Sequence, residues 1–385
     1  MMGNVIPHPL PATRLTPASE HGFFGYYDVP AFSGDGRLHL CQRVPFMDRL
    51  PAGDDVATIG TVSLDDRAFT PITETNAWNF QQGTMLQWSP TAPNDAILFN
   101  RFADGRYVGV MRDLLTGAER VLAMPIATVD PRGHYALGIN FSRVFDFRPG
   151  YGYANSPDPF REETSPAADG VYRIELETGA SELFFSYAEL SRLLPAMRGR
   201  KIVVNHITIN PDGTRFLMLV RDFGEMTAAR WGTALLTAGL DGGDLRVHAD
   251  NHLVSHYHWR DPRTVLAYAA LDKGEGLYLL DDVTGETTVL DRGFFTFDGH
   301  CSFSPDRQWL LYDTYPREGR RHLFLYDLRR GIPYEVGAFA DPYPPDDIRC
   351  DLHPRWDRTG ARISFDAVHE GFRGVYLMDV SPLVG

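Results

Sequence analysis

Cysteine is scarce in this chain. Cys41, Cys301 and Cys350 are the only three among 385 residues, too few and too odd in number for a disulfide framework. No Cys-x-x-Cys pair favours a zinc site, and neither a Gly-x-Ser-x-Gly motif nor a glycine-rich phosphate loop is present. We therefore expect reduced thiols and a chemistry that rests on other side chains.

Long apolar runs and an excess of basic residues are also missing. The first 17 residues hold Pro7, Pro9 and Pro11 and no apolar run, so we expect neither a signal peptide nor a membrane span, and a cytoplasmic location. With 37 basic and 50 acidic residues the formal net charge is −13, which does not suit nucleic acid as a partner. A local arginine cluster can still reverse the field in a cleft, so an anionic substrate stays open.

A strand–turn–strand unit recurs seven times. In each copy an apolar strand leads into a tight turn of the Ser-Pro-Asp-Gly type, and a second apolar strand follows. The copies begin at Ala31, Gln87, Thr128, Thr208, His258, Ser302 and Pro354. Proline presets the turn, Asp or Asn caps it, and glycine supplies the positive φ before the chain returns. Several copies continue into a third strand, and such a unit is typical of a propeller blade.

The repeat predicts an all-β fold, a seven-bladed β-propeller, with residues 1–385 as a single domain. Gly374–Val380 is expected to be the third strand of blade seven, and a strand near Thr13–Thr16 is expected to complete that blade from the N-terminus. Closing the ring in this way removes exposed sheet edges. A pair of β-sandwiches or an open solenoid is the alternative.

The widest gap between turns predicts an insertion. It covers residues 142–205, between blades three and four, with a long loop at Arg148–Asp169 and a short helix at Ser186–Met197. Long loops in compact folds are usually functional or disordered. We expect this one to form a rim over the active face.

Alignment of the turns places four histidines at one level of the ring. Counting six residues back from the turn aspartate, or from the position aligned with it, gives His206, His300 and His353, and alignment on the Arg-Asp-Pro turn of blade five gives His256. The first strand of a blade starts beside the axis, so the same offset in each blade points to the same ring. One such histidine is usually structural, but four converging imidazoles are typical of metal ligands or acid–base groups.

Charged side chains are expected at the ends of the second strands, which return to the same face. Blades one to four offer guanidinium groups, and blades six and seven offer carboxylates. These residues are Arg43, Arg101, Arg143, Arg221, Asp313 and Asp366. Clustered arginines suit a carboxylate or a phosphate, which they bind through paired hydrogen bonds.

The blade turns and the inner-strand histidines resemble the oligogalacturonate lyases, a family of seven-bladed propellers that cleave pectin fragments. The resemblance is most specific at DGHCSFSPD (Asp298–Asp306) and DLHPRW (Asp351–Trp356). It implies a divalent metal, usually manganese, with ligand roles for His300 and His353 and the role of catalytic base for His256.

Two of the family's four ligands are replaced, by Cys350 and Arg355. Either the metal site is rebuilt from His206, His256, His300 and His353, or its charge is supplied by Arg349 and Arg355.

The leading hypothesis from the sequence is a glycan lyase that cleaves beside a uronate by β-elimination. Metal or arginine would neutralise the carboxylate, and His256 or His206 would be the base, with Arg221 and Tyr26 as further catalytic residues. An anionic oligo- or polysaccharide would contact Arg43, Arg101, Arg143, Arg349, Arg355 and Gln82. The alternatives are a glycoside hydrolase that uses Asp313 and Asp366, and a non-catalytic propeller that binds a glycan or a protein.

Overall fold

The computed structural model describes residues 5–224, 232–343 and 346–385. The N-terminus contributes β1 (Ile6–Pro7) and β2 (Ala12–Arg14). Blade one contains β3 (His21–Phe23), β4 (Leu38–Val44), β5 (Ala57–Ser63) and β6 (Phe69–Thr75). Blade two contains β7 (Gln87–Trp88), β8 (Ala96–Ala103), β9 (Arg106–Asp113) and β10 (Glu119–Leu122). Blade three contains β11 (Thr128–Val129), β12 (Tyr135–Ile139), β13 (Gly170–Glu175) and β14 (Ser181–Ser186).

The second half of the ring follows the same plan. Blade four contains β15 (Ile202–Ile209), β16 (Arg215–Asp222), β17 (Thr233–Gly239) and β18 (Arg246–His252). Blade five contains β19 (Val254–Trp259), β20 (Thr264–Leu271), β21 (Gly274–Asp281) and β22 (Thr287–Leu290). Blade six contains β23 (Cys301–Phe303), β24 (Trp309–Asp313), β25 (Arg320–Asp327) and β26 (Ile332–Ala340). Blade seven contains β27 (Arg355–Trp356), β28 (Arg362–Ala367) and β29 (Gly374–Asp379).

Each blade is a meander whose strands pair in chain order, so the seven-bladed propeller predicted from the repeat is confirmed. The blade turns follow the expected chemistry: Gly213 has a φ of +66°, and its N–H donates to the Asn210 carbonyl at 3.0 Å. A residue with a Cβ is strained at that φ, which explains the glycine of the repeat.

The ring closes where the N-terminal strand was predicted. Strand β2 pairs antiparallel with β29, with Thr13 opposite Leu377, and the Leu15 N–H donates to the Val375 carbonyl at 2.8 Å. Strand β1 makes a second closure that the sequence did not reveal, because it adds to blade six as a parallel fifth strand beside β26.

The insertion lies within blade three. Helix α1 (Phe141–Phe147) and a 3₁₀ turn (Pro149–Tyr151) follow the second strand of that blade, and the chain returns to form β13 and β14. The predicted bounds of 142–205 therefore enclose two blade strands. The expected short helix is present as α2 (Tyr187–Leu193), followed by a 3₁₀ turn (Pro195–Met197). A last helix, α3, covers Ser381–Val384.

Hydrophobic cores lie between neighbouring blades. Leu311 and Leu325 of blade six pack with Ile363 and Phe365 of blade seven. Tyr26, Tyr27 and the helices of the insertion join the largest core, which spans blades two to four. In the described parts of the chain, no helix is long and apolar enough to cross a membrane.

We expect the closing strand to stabilise the whole ring. Leu15 is 2% exposed and packs with Cys41, Val62 and Val375 between blades one and seven. The substitution Leu15→Ala should therefore lower the free energy of unfolding by about 2–4 kcal/mol, measured by urea denaturation. Leu115 is 91% exposed, so Leu115→Ala is the matched control. An equal effect of both substitutions would contradict this account of closure.

Candidate active site

Three of the four predicted histidines form one continuous cluster. The ring centroids of His256 and His300 are 4.2 Å apart, and those of His300 and His353 are 4.3 Å apart. All three side chains are buried. The equal offsets in blades five to seven therefore lead to contact between the imidazoles.

His206 belongs to the same region but is separated from this cluster by Tyr26. The Tyr26 ring stacks on His206 with centroids 4.9 Å apart, and it meets His353 at the same distance. The Gln82 amide nitrogen lies 3.4 Å from His206 Nδ1. Burial, with Arg221 adding to it, holds the pKa of His206 well below its usual value, so its imidazole is neutral.

Local irregularities of the inner strands aim these side chains. Strand β15 shifts register between Val204 and His206, and β19 shifts register between Val254 and Tyr257. A bulge of this kind turns a side chain out of the regular alternation and is common beside active sites. At Gly299 a Cβ would lie 2.0 Å from the Asp313 carbonyl oxygen, so the close approach of His300 to Asp313 needs a glycine there.

Asp313 fixes the orientation of His300. Its two carboxylate oxygens lie 3.0 and 2.9 Å from His300 Nδ1, and one of them also accepts the His300 backbone N–H at 2.7 Å. This pairing places the proton on Nδ1 and leaves the Nε2 lone pair available. His300 Nε2 is buried and has no hydrogen-bond partner within the described ranges.

His353 is held in a strained conformation. Its φ of +42° lies in the left-handed region, although the next residue, Pro354, disfavours most conformations other than extended ones. Such strain is typical of residues that a site holds in place. Burial and the neighbouring His300 keep the pKa of His353 well below its usual value, and its Nε2 is buried without a hydrogen-bond partner in the described part of the chain.

Asp351 joins His300 and His353 in a group that fits a metal ion. One ligand atom of each residue lies within 4.8 Å of the other two. Asp351 also accepts hydrogen bonds from Arg321 Nη1 at 2.6 Å and from Arg349 Nε at 2.8 Å. Burial opposes ionisation of Asp351, but the two guanidinium groups outweigh it and hold its pKa well below the usual range.

Two imidazole nitrogens and a carboxylate are a donor set that suits divalent metal ions. His206 and His256 are outside this group, so the structure offers a smaller ligand set than the four histidines predicted. Cys350 does not add to it as a thiolate, because burial raises its pKa to about 12.

His256 is paired with a different carboxylate. Its Nδ1 lies 2.8 Å from Asp298 Oδ1, and the Ser255 hydroxyl donates to Asp298 Oδ2 at 2.6 Å. Burial lowers the pKa of His256 below its usual value, and the charge of Asp298 opposes that shift only in part. The imidazole is thus neutral, with its proton on Nδ1 and its Nε2 lone pair able to accept another.

Three of the predicted substrate arginines are held in contacts with other parts of the chain. Arg43 pairs with Glu20 and lies over the Phe69 ring at 4.2 Å, towards the outermost strand. Arg101 binds Glu119 of strand β10 through both terminal nitrogens, at 2.7 and 2.9 Å. Side chains alternate along a strand, so a charged residue near a strand end can face either way.

Arg143 does not lie at the end of a strand, because the chain has already left blade three and formed α1 at that point. It lies on α1, is fully buried, and pairs with Asp158 at 3.1 Å while donating to the Ile202 carbonyl at 2.8 Å. Its contacts tie the insertion to blade four.

The remaining arginines are buried around the cluster. Arg221 is 4% exposed, and burial lowers its pKa to about 10, with the charge of Arg148 as a second cause. Arg349 donates to the Tyr151 hydroxyl at 2.9 Å. Arg355 pairs with Asp366 at 2.9 Å and is 2% exposed.

Sequence reasoning missed Tyr315, Arg321 and the pairing role of Asp298. The half-buried Tyr315 ring lies 6.0 Å from both His256 and His300. Asp298 stands two residues before His300, and Tyr315 stands two residues after Asp313. Those positions flank inner-strand starts and second-strand ends, so a search of both flanks would have found them.

Fold and site together define a class of protein: a seven-bladed propeller with a buried cluster of His, Asp and Arg side chains. No protein-family model matches the sequence, and no curated protein matches it. Among solved structures, the chain is similar to an oligogalacturonate lyase in complex with manganese, with a TM-score of 0.70, 18% identity, and coverage of 97% of this chain and 98% of the other. It is also similar to an oligogalacturonate lyase from Vibrio parahaemolyticus, with a TM-score of 0.67, 14% identity, and coverage of 96% and 94%.

Another solved structure matches less well. A puromycin hydrolase aligns with a TM-score of 0.52 at 17% identity, over 94% of this chain and 53% of its own length. At these identities the likeness concerns the fold, and it agrees with the distant resemblance seen in the sequence.

Measurements of metal binding should show whether the ligands are His300, His353 and Asp351 or the four histidines predicted from the sequence. We expect purified protein to bind Mn²⁺, and His353→Ala to weaken binding by at least about tenfold, because it removes a ligand. The matched variant His206→Ala should leave the affinity near that of the wild type. Calorimetric titration measures both affinities. An equal loss of affinity in the two variants would instead favour the four-histidine ligand set.

Proposed function

We propose that this protein is a lyase that cleaves an oligosaccharide beside a uronate by β-elimination. The observation that carries the proposal is the contact between two imidazoles in different environments, one suited to a base and the other to a metal ligand. His256 is neutral and hydrogen-bonded to Asp298, as a base requires. The His300 ring, 4.2 Å away, belongs to the group that would hold a metal ion against the substrate carboxylate. Similarity of fold to two oligogalacturonate lyases supports the same reading.

The group formed by His300, His353 and Asp351 would hold the divalent ion. When bound, such an ion neutralises the uronate carboxylate and makes the adjacent C–H more acidic. The chain contributes the orientation, because Asp313 holds His300 with its Nε2 lone pair free. Arg321 and Arg349 keep Asp351 ionised inside a buried site.

His256 is the proposed base. Its Nε2 accepts the proton from the carbon beside the carboxylate, and Asp298 stabilises the imidazolium that results. His206 is the weaker candidate, since Tyr26 stacks on its ring and Gln82 lies against its Nδ1. Arg221, buried near His206, would orient the substrate's negative charge.

Tyr315 is the proposed acid for the leaving oxygen. Burial, together with the charges of Asp351 and Asp298, raises the pKa of its phenol well above the usual value, so it stays protonated at neutral pH. Its ring lies 6.0 Å from both His256 and His300. A phenol this near the proposed base supports its role as the acid.

The paired-carboxylate hydrolase is less well supported. Asp313 is fully buried and bound by His300 through both oxygens. Asp366 accepts the backbone N–H groups of Phe24 and Gly25 and pairs with Arg355. A hydrolase needs one carboxyl group facing the glycosidic oxygen and another facing water or the anomeric carbon. Both candidate carboxylates are instead occupied by hydrogen bonds within the protein.

The reaction type is tested by its product. Incubation with oligogalacturonate and other uronate oligosaccharides should generate the near-ultraviolet absorbance of an unsaturated uronate. His256→Ala should reduce turnover by at least about 10²-fold, since it removes the base, and should bind substrate about as well as the wild type. His134→Ala, at an exposed position, is the control. Reducing ends without the absorbance would instead show a hydrolase, and neither signal would show a binding protein.

The pH dependence should report His256. Because its pKa is lowered, the acidic limb of the kcat/KM profile should lie below the ordinary histidine value. Asp298 raises that pKa, so Asp298→Asn should move the limb to still lower pH. The maximal rate should fall by about 10²- to 10⁴-fold as the correct tautomer is lost. A limb that moves to higher pH would contradict the assignment.

A further inference from the structure

A cavity of about 420 Å³ lies beside His206. Its inner end reaches Tyr26, Gln82 and His206, and it extends towards the face that carries the blade turns, as far as Pro211 and Trp259. The inner strands run from the histidine level to those turns. The cavity therefore reaches His206, but its lining does not include His256, His300 or His353.

The strongest feature of this cavity is Asn205. It lies at the register shift of β15, is 1% exposed, and lines the cavity. Neither its amide nitrogen nor its amide oxygen has a hydrogen-bond partner among the residues the structure describes. A buried amide without partners costs about 1–3 kcal/mol, so a ligand or ordered water is expected to satisfy it.

A chain of polar groups faces the same space. The Thr208 hydroxyl donates to Asp28 Oδ2 at 3.0 Å and lies 3.0 Å from the Tyr257 hydroxyl. All three residues line the cavity. They offer alternating donors and acceptors along one wall, which matches neighbouring hydroxyl groups of a ligand.

Two tryptophans supply apolar surface. The Trp88 indole N–H donates to the Ala31 carbonyl at 3.0 Å, and the Trp259 N–H donates to the Thr208 carbonyl at 3.2 Å. With those donors already used, the indoles offer the cavity only apolar surface, which suits the C–H face of a sugar ring. Arg358 also lines the cavity.

We propose that this cavity is a second binding site, for a small neutral polyhydroxylated ligand of monosaccharide size. Its volume lies within the range of small-molecule sites, and its few polar groups converge between apolar walls as such sites require. The site adjoins His206 but includes neither the proposed base His256 nor the proposed metal group, and the proposal does not depend on lyase activity.

The test is a titration of the wild-type protein with D-glucose and D-galactose by isothermal calorimetry, followed by a crystal structure with the sugar that binds. We expect saturable binding, with density for the sugar beside Asn205 and Asp28. Asp28→Asn should weaken binding by at least about tenfold, because it replaces a charged acceptor. Asn205→Leu should do the same.

Controls keep the two sites apart. His256→Ala should lose lyase turnover yet bind the sugar as the wild type does, so failure of the lyase proposal leaves this one standing. If Asn205→Leu does not fold, Thr208→Val removes the neighbouring hydroxyl with little change in shape. Absence of binding, a cavity that holds only water, or binding that His256→Ala abolishes would overturn the proposal.

Discussion

The contact on which the candidate site depends is the hydrogen bond from His300 Nδ1 to Asp313. Both oxygens of that carboxylate lie within 3.0 Å of the ring nitrogen. The bond fixes the proton on Nδ1 and sets the direction in which the Nε2 lone pair of His300 points. His300 touches His256 on one side and His353 on the other, so the geometry of the whole cluster follows from this pairing.

Charge balance is the second constraint. Asp351 would be costly to bury alone, and the structure surrounds it with Arg321 and Arg349. Removing one partner of such a buried group typically costs about 3–5 kcal/mol, because the others are left uncompensated. The arginines around the cluster are thus part of its structure first, and only those that face the axis remain available to a substrate. This explains why counting arginines at strand ends overestimated the substrate contacts.

Much of the fold was accessible from the sequence because each blade repeats the same turn chemistry. The seven turns, the closing role of the strand near Thr13 and the helix near Tyr187 could be predicted from local pattern. Strand β1 and helix α1 could not. A two-residue parallel strand leaves little periodicity, and α1 begins two residues after β12 ends, so its apolar residues look like a continuation of that strand. The outer strands of blade three were taken for insertion because α1 and the loop after it interrupt the blade between its second and third strands.

The site was predicted in part for the same reason. The offset from each turn fixes where an inner strand begins, so the contact among His256, His300 and His353 followed from counting. Counting cannot show that Tyr26 stacks between His206 and His353, or that Arg43 and Arg101 turn outwards to glutamates. Those outcomes depend on side-chain direction and on loops from distant parts of the chain, which the repeat does not encode.

The central claim is that His300, His353 and Asp351 form one metal-binding centre organised by Asp313. Anomalous diffraction from a crystal soaked in Mn²⁺ tests it most directly. The account predicts a single strong peak on the axis, bonded to the Nε2 atoms of His300 and His353 at about 2.0–2.3 Å. A peak bonded to His206, or no peak at this cluster at saturating Mn²⁺, would contradict it.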